Sequence, residues 1–407
     1  MSSSQVNGRV KAMHEEFRAI RLDELDECLD LWGSVFERVG RDYFLAYIHG
    51  DPWFKLDYTR VCVADGKIVS AVQICRRDVG FGISHLKMGG IANVATLPEY
   101  RGRGYSSRLL KDCIWVMQSH GIGFSMLFTG IQHFYERIGW RSVPVSHITG
   151  RLRSHIRALP SRTYSIRHRV PEDIIGMKDV YAAFNATRPL AVRRNQQYWE
   201  GYVRSRLGNS ENIFVAVRNG SLVGYIYAPP AKDTFRIHEI AYTPGDEGCV
   251  YPLVAHAAAQ AKKMGAQTAW YNIPHEPAIV SAVKRVTEEL ESDDSRALMC
   301  RLIDTRVLLN RILPELNRRA SYFVLPRAEI SLETEFGSLG FTFENQSVYP
   351  ETRNPIRVKL SQEQFFSLLF GLKTINEMDI SVPFEAFQVL SALFGRQRAV
   401  FWGLDSF

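Results

Sequence analysis

The chain has few cysteines for its 407 residues: Cys28, Cys62, Cys75, Cys113, Cys249 and Cys300 are scattered, with no CxxC pair and no histidine cluster at metal spacing. That excludes a disulfide framework and a structural zinc site, and no metal is expected. Most of these cysteines sit in apolar stretches such as RVCVA and KDCIWVM, which marks them as buried, inert thiols. No apolar run reaches the roughly 18 residues that cross a bilayer, and the opening MSSSQVNGRVKAMHEEF lacks the apolar core of a secretory signal. A cytoplasmic protein with no membrane partner is therefore expected. A composition of 46% hydrophobic and 23% charged residues excludes disordered and fibrous classes. The net charge of +7 permits an anionic ligand, but no aromatic-basic platform supports a nucleic-acid partner.

The length points to about three domains. In the first block FRAIRL alternates like a strand, and LDELDECLDLWGSVF carries apolar residues at helical spacing behind Asp23, a candidate N-cap. RDYFLAYI reads as a second helix, and TRVCVADGKIVSAVQICRRDV as a hairpin turning at Asp65-Gly66. IANVAT then reads as a strand, followed by a Gly/Arg loop and a helix with Leu109, Leu110, Cys113, Ile114 and Met117 on one face. Gly121 ends that helix, GFSMLFTG is a short buried strand, QHFYERIGW a turn of helix, and RSVPVSHITG the last strand of the block.

A second block, from residue 151, repeats this order: YSIRHRV, EDIIGMKDVYAAF, a hairpin at Asn219-Gly220, FRIHEIAYTP, CVYPLVAHAAAQAKKMG and QTAWYNI. The repetition reads as a duplication. A third block, from about residue 301, has a helix at LIDTRVLLNRILPEL, strands in AEISLETEFGSLGFTFENQ, and two amphipathic helices, the first with a Ser361/Gln364 capping box. The ending RAVFWGLDSF is too apolar for a fraying terminus and should dock.

The strongest chemical signal is Arg101-Gly102-Arg103-Gly104-Tyr105-Ser106, between a strand and a helix. Tight glycine loops turn backbone N–H groups outward, and a helix N-terminus adds partial positive charge, so the loop suits a pyrophosphate. Arg101 and Arg103 add full charges, and Ser106 and Ser107 add hydroxyl donors. The spacing is not GxGxxG and the loop follows a fourth strand, against a dinucleotide loop; no Gly-Lys-Ser/Thr follows, which excludes a Walker loop.

Arg101-x-x-Gly104-x-Ser106, preceded by VATLPEY and followed by FYERIGW, resembles the signature Gln/Arg-x-x-Gly-x-Gly/Ala of the GNAT superfamily of acyl-CoA-dependent N-acetyltransferases, with serine in the last small position. Over the whole chain the layout is similar to the enhanced intracellular survival family. That likeness implies an α/β (α+β) protein of two tandem GNAT-like mixed-sheet domains followed by a sterol-carrier-protein-like α+β domain. The corresponding divisions are 1–150 (catalytic), 151–300 (degenerate) and 301–407 (supplying the C-terminus). It implies acetyl-CoA as cosubstrate, with pantetheine on the strand backbone at Val94, Ala95 and Thr96. The pyrophosphate would lie on Arg101, Gly102, Arg103, Gly104, Tyr105, Ser106 and Ser107, and the acetyl end near Gly130 and Ile131. Tyr135 would be the general acid for the departing thiolate.

No Asp or Glu lies in residues 86–97, where many superfamily members place a base. The resemblance implies the carboxylate of Phe407, whose reference pKa of ~3.3 to 3.7 needs burial or a water relay to serve. Asp405, Glu136 or an acid of the first helix are the alternatives. The acceptor implied is a primary amine, either an aminoglycoside-like polyamine or a lysine side chain, attacking directly in a ternary complex. Asp23, Glu24, Asp26, Glu27 and Asp30 are candidates for an acidic wall; a solvated helix face is the other reading. Relatives assemble as hexamers, so a homo-oligomer is expected. In the second block Asp246 and Glu247 replace the loop cations, so no CoA should bind there. The competing reading of the chain is a non-catalytic CoA-sensing or lipid-binding protein using the third block.

Overall fold

A computed structural model describes residues 14–37, 39–157, 161–207, 210–229 and 231–407. The first unit contains strands β1 (Glu15–Ala19), β2 (Thr59–Ala64), β3 (Lys67–Phe81), β4 (Ser84–Thr96), β5 (Phe124–Phe128) and β6 (Arg141–Ser142). Its helices are α1 (Leu25–Val35), α2 (Arg41–Ile48), α3 (Tyr105–Ser119) and α4 (Gln132–Glu136). The hairpin turn falls where two residues that tolerate positive φ adjoin: Asp65 at 47° and Gly66 at 84°, with Ala64 paired to Lys67. Asp23 is not the helix cap; it lies in a 3-10 turn, Leu22–Glu24, and Glu24 caps α1. In α3 the predicted stripe Leu109, Leu110, Cys113 and Met117 is buried, and Gly121, at φ 64°, ends the helix.

Two strands are exchanged between the first and second blocks. The sheet runs β1-β2-β3-β4-β5, then Leu298–Leu302, then β6. Leu298–Leu302 lies antiparallel to β5, from Leu298 opposite Phe128 to Leu302 opposite Phe124. In return β7 (Val145–Leu152) leaves this sheet and pairs with Thr268–Tyr271 and Thr287–Ser295. The run RSVPVSHITG, read as one closing strand, is therefore two strands in two sheets. Pro144 accounts for the break, because it has no N–H for a ladder and lies between β6 and β7. The sheets thus cross the divisions expected at residues 150 and 300.

The second unit also has a four-stranded sheet ordered Glu239–Tyr242, Ser221–Tyr227, Ile213–Arg218, Ser165–His168. In the third unit helix Thr305–Ala320 precedes a sheet ordered Ser347–Tyr349, Gly337–Glu344, Ala328–Thr334, Ile356–Lys359, covered by helices Gln362–Leu369 and Phe384–Leu393. The capping box forms, Ser361 Oγ accepting from Gln364 N–H at 3.1 Å and Gln364 Oε1 from Ser361 N–H at 2.8 Å. Between sheet and helices, Ile312, Leu332, Leu339, Phe365 and Phe394 close together and leave no room for a water molecule. These apolar faces pack as core at that point. The ending docks, with Trp402, Leu404 and Asp405 buried.

Because Leu298–Leu302 covers the outer edge of β5, a fragment of residues 1–150 would expose an unpaired buried strand. It is expected to aggregate or to show poorly dispersed amide NMR signals, whereas the full chain, with Leu298–Leu302 in place beside β5, should stay soluble; a well-dispersed 1–150 spectrum would contradict the exchange.

Candidate active site

The parallel pairing of β4 with β5 covers only Met88–Gly90 opposite Phe124–Met126. Beyond it β4 continues to Thr96 on its β3 partner alone, and a wedge opens between the two strands. A bulge sits at the opening: the β3 register jumps between Ala71 and Gln73, Asn93 takes φ 52°, and Asn93 Nδ2 donates to Gln73 Oε1 at 2.7 Å. Leu97 N–H donates to Val69 O at 3.0 Å, so by two-residue alternation the peptide groups of Ala95 face β3 and those of Val94 and Thr96 face the wedge. Ala95 therefore departs from the expected pantetheine contact. Its carbonyl accepts from Ser70 Oγ at 2.8 Å, and its side chain is in the core.

The Arg/Gly loop follows. Gly102 (φ 79°) and Gly104 (φ 81°) take left-handed conformations that disfavour side chains, and the space where a Cβ would stand is open at both. The first helical bond of α3 runs from Arg108 N–H to Gly104 O, 3.0 Å, so the N–H groups of Tyr105, Ser106 and Ser107 have no partner within the helix. No acidic residue occupies this first turn, which leaves the helix end suited to an anion. The turn is held to β4 by hydroxyls: Ser106 Oγ lies 2.7 Å from Thr96 Oγ1, which lies 2.8 Å from Ser70 Oγ. Ser70, 36 positions before Ser106, carries no local sequence signal for this role. Arg101 Nε donates to Thr96 O at 3.2 Å. The Arg103 guanidinium stacks 5.1 Å from the Tyr100 ring centre. Tyr105 turns its side chain inward, its hydroxyl donating to Glu15 at 2.5 Å, so its loop contribution is its backbone.

A cleft of about 430 Å³ joins these parts. It takes in every expected cofactor residue except Ala95, Arg103 and Gly130, and it takes in Tyr135; Val35, Tyr100 and Phe134, not singled out from sequence, complete its wall. Tyr135 is 8% exposed, its ring set edge-on to Phe134 at 4.9 Å. Burial pushes its phenol up to about 12.

Phe407 does not line this cleft; from the opposite end of the chain it reaches Gly90, the last β4 residue paired with β5. Its ring lies against Gly90 so closely that a methyl group at that glycine would collide with it. Phe128 and Phe401 flank it, with ring centres 6.0 and 5.7 Å away. Asp405, an alternative base, is fully buried with both carboxylate oxygens on Arg194, at 2.9 and 2.8 Å. Glu136 is exposed, 3.8 Å from His133. The first-helix acids are mostly engaged: Glu24 with Arg18, Asp26 and Asp30 with Arg41, and Glu27 accepting from Ile68 N–H. None of the five, Asp23 included, lines the cleft. In the second unit Asp246, one of the two acids expected to replace the loop cations, is buried and pairs with Arg218 at 3.0 Å.

Residues 16–143 match the family model for an acetyltransferase (GNAT) domain. Over 120 residues, 28% of this chain and 75% of the relative, the sequence is 28% identical to N-alpha-acetyltransferase 30 of Schizosaccharomyces pombe. Solved structures share the fold over nearly the full length. A GCN5-related N-acetyltransferase from Kribbella flavida matches at TM-score 0.67 and 17% identity, covering 97% of this chain and 99% of that one. A probable N-acyltransferase from Enterococcus faecalis matches at 0.68 and 16%, covering 95% and 97%. Eis1 from Mycobacterium abscessus matches at 0.61 and 13%, covering 95% and 99%. No helix among the described residues is long and apolar enough to cross a membrane.

The open space at Gly104 separates conformation from packing in a mutant. Gly104→Ala forces a side chain into left-handed φ at a cost of about 1–2 kcal/mol. CoA affinity by calorimetry is expected to fall roughly tenfold; unchanged affinity would remove the loop from the binding site.

Proposed function

We propose that the chain, an acetyltransferase by its GNAT domain, moves the acetyl group of acetyl-CoA to a primary amine in a ternary complex. The observation that carries this reading is the joining of the free β4 edge, the Arg/Gly loop, the α3 N-terminus and Tyr135 in one cleft. The residues present suit the cosubstrate, since the left-handed glycines leave open space and the first-turn N–H groups lack helical partners. When bound, acetyl-CoA supplies an acyl group activated as a thioester. Val94 and Thr96 offer backbone groups to the amides of the pantetheine arm. The N–H groups of Tyr105, Ser106 and Ser107, with Arg101, hold the pyrophosphate, and Ile131 borders the acetyl end.

Tyr135 holds its proton until the thiolate departs and donates it to the sulfur. The carboxyl group of Phe407 receives the proton from the amine; the packing of the Phe407 ring on Gly90 of β4, and the commitment of Asp405 to Arg194, support that choice. Residues 151–300 act as a degenerate copy without CoA, and residues 301–407 as a sterol-carrier-like unit delivering Phe407. The acceptor class is a polyamine of the aminoglycoside kind or a lysine side chain, and the working form is a homo-oligomer, a hexamer by resemblance.

Release of free CoA thiol across a panel of polyamines and lysine peptides tests the activity; no release with any amine would contradict it. Tyr135→Phe should lower kcat roughly 10²-fold while CoA affinity stays within twofold; unchanged turnover would remove Tyr135 from the chemistry. With its phenol raised to about 12, Tyr135 stays protonated through neutral and mildly alkaline pH. No loss of kcat attributable to it should appear below about pH 11, and a fall centred at pH 8 to 9 that Tyr135→Phe abolishes would overturn the assignment. Extending the chain past Phe407 by a short tag should abolish turnover if its carboxylate is the base, and full activity would sink that role.

A further inference from the structure

We propose that the second unit serves as a clamp that fixes Phe407 in the first unit's site, with Arg194 as its central positioning residue; this rests on the acetyltransferase reading. The second unit has a strand, Glu239–Tyr242, that matches β4 by its place in the repeated order. Beside that strand lies the chain's own ending. Gly403 N–H donates to His238 O at 3.0 Å, one residue before it, and Val400 N–H donates to Pro189 O at 3.0 Å. A peptide segment thus takes up the carbonyl just ahead of the strand that matches the first unit's open one.

The grip tightens toward the end of the segment. The Arg194 side chain is fully buried and forks onto both oxygens of Asp405, while its other face bonds Glu239 from the strand itself. Tyr225 donates to Glu239 at 2.6 Å and Tyr198 to Asp405 at 3.2 Å, so hydroxyl donors meet the second buried carboxylate that one guanidinium leaves in excess. One residue on, Tyr202 donates to the Ser406 carbonyl at 2.6 Å and Arg206 to Ser406 Oγ at 3.1 Å. Tyr198, Tyr202 and Arg206 share a helix spanning 196–207 that is locally π-wound at Trp199–Val203. That helix presses on the first unit, with Gly201 backed onto the Gly50 carbonyl and Arg206 bonding Tyr47 of α2 at 3.2 Å. With residues 405 and 406 held, the Cα of Phe407 is one peptide link, about 3.8 Å, from a fixed point. Its ring then has little reach beyond Gly90.

Asp405→Asn and Tyr202→Phe test the clamp in the full-length protein, the second by removing one oxygen and nothing else. In both, hydrogen–deuterium exchange of peptides covering 399–407 should rise while the melting temperature and the exchange of α3 hold. Turnover should fall by about tenfold, as small misplacements of reacting groups cost that much or more, with the KM for acetyl-CoA within twofold of the parent. Asp405→Glu, which keeps the charge, should recover part of the loss. Exchange unchanged in both variants, or raised exchange with full turnover, would overturn the proposal. If the parent protein releases no CoA thiol with any amine, the acetyltransferase reading falls by itself, and the exchange measurement still decides whether the second unit holds the tail.

Discussion

Pairing between β4 and β5 lasts three residues, and the organisation of the site follows from its ending there. A sheet normally satisfies its own backbone donors and acceptors, so an unpaired stretch inside one needs another partner. The bulge at Asn93 starts the departure, and the hydroxyl chain Ser70–Thr96–Ser106 then fixes how far α3 stands from the open edge. The helix end and the free strand edge are thereby held as one surface, with the same short segment, residues 94–106, supplying both.

Charge is arranged around this opening with little left over. The first-helix acids that suggested a cation-binding wall are largely tied to Arg18, Arg41 and the Ile68 amide, and the wall beside Phe407 is aromatic. In the second unit Asp246 is buried against Arg218.

Local patterns carried much of this into the sequence. The α3 stripe, the turn at Asp65-Gly66, the capping box at Ser361 and the tight glycine loop each depend on residues a few positions apart, and each was legible. What was not legible depends on distant partners. Ala95 was grouped with Val94 and Thr96 because the bulge that sets the alternation leaves no mark in composition. The break in RSVPVSHITG is signalled by Pro144, but the destination of its second half is set by strands more than a hundred residues later. Likewise the apolar ending announced that it would dock, whereas its partner Arg194 lies 211 positions away from Asp405.

The strand exchange has a bearing on how the chain is made. The first sheet lacks the strand between β5 and β6 until residue 302 has been synthesised. Translation delivers the N-terminal segment first, so a nearly complete fold must wait with one gap in its sheet while some 150 further residues emerge. During that interval the outer edge of β5 is an exposed pairing surface in the nascent chain. A neighbouring nascent chain offering its own 298–302 stretch could fill the gap with the same hydrogen bonds, so the spacing of ribosomes on the message becomes a factor in whether each chain closes on itself or on its neighbour.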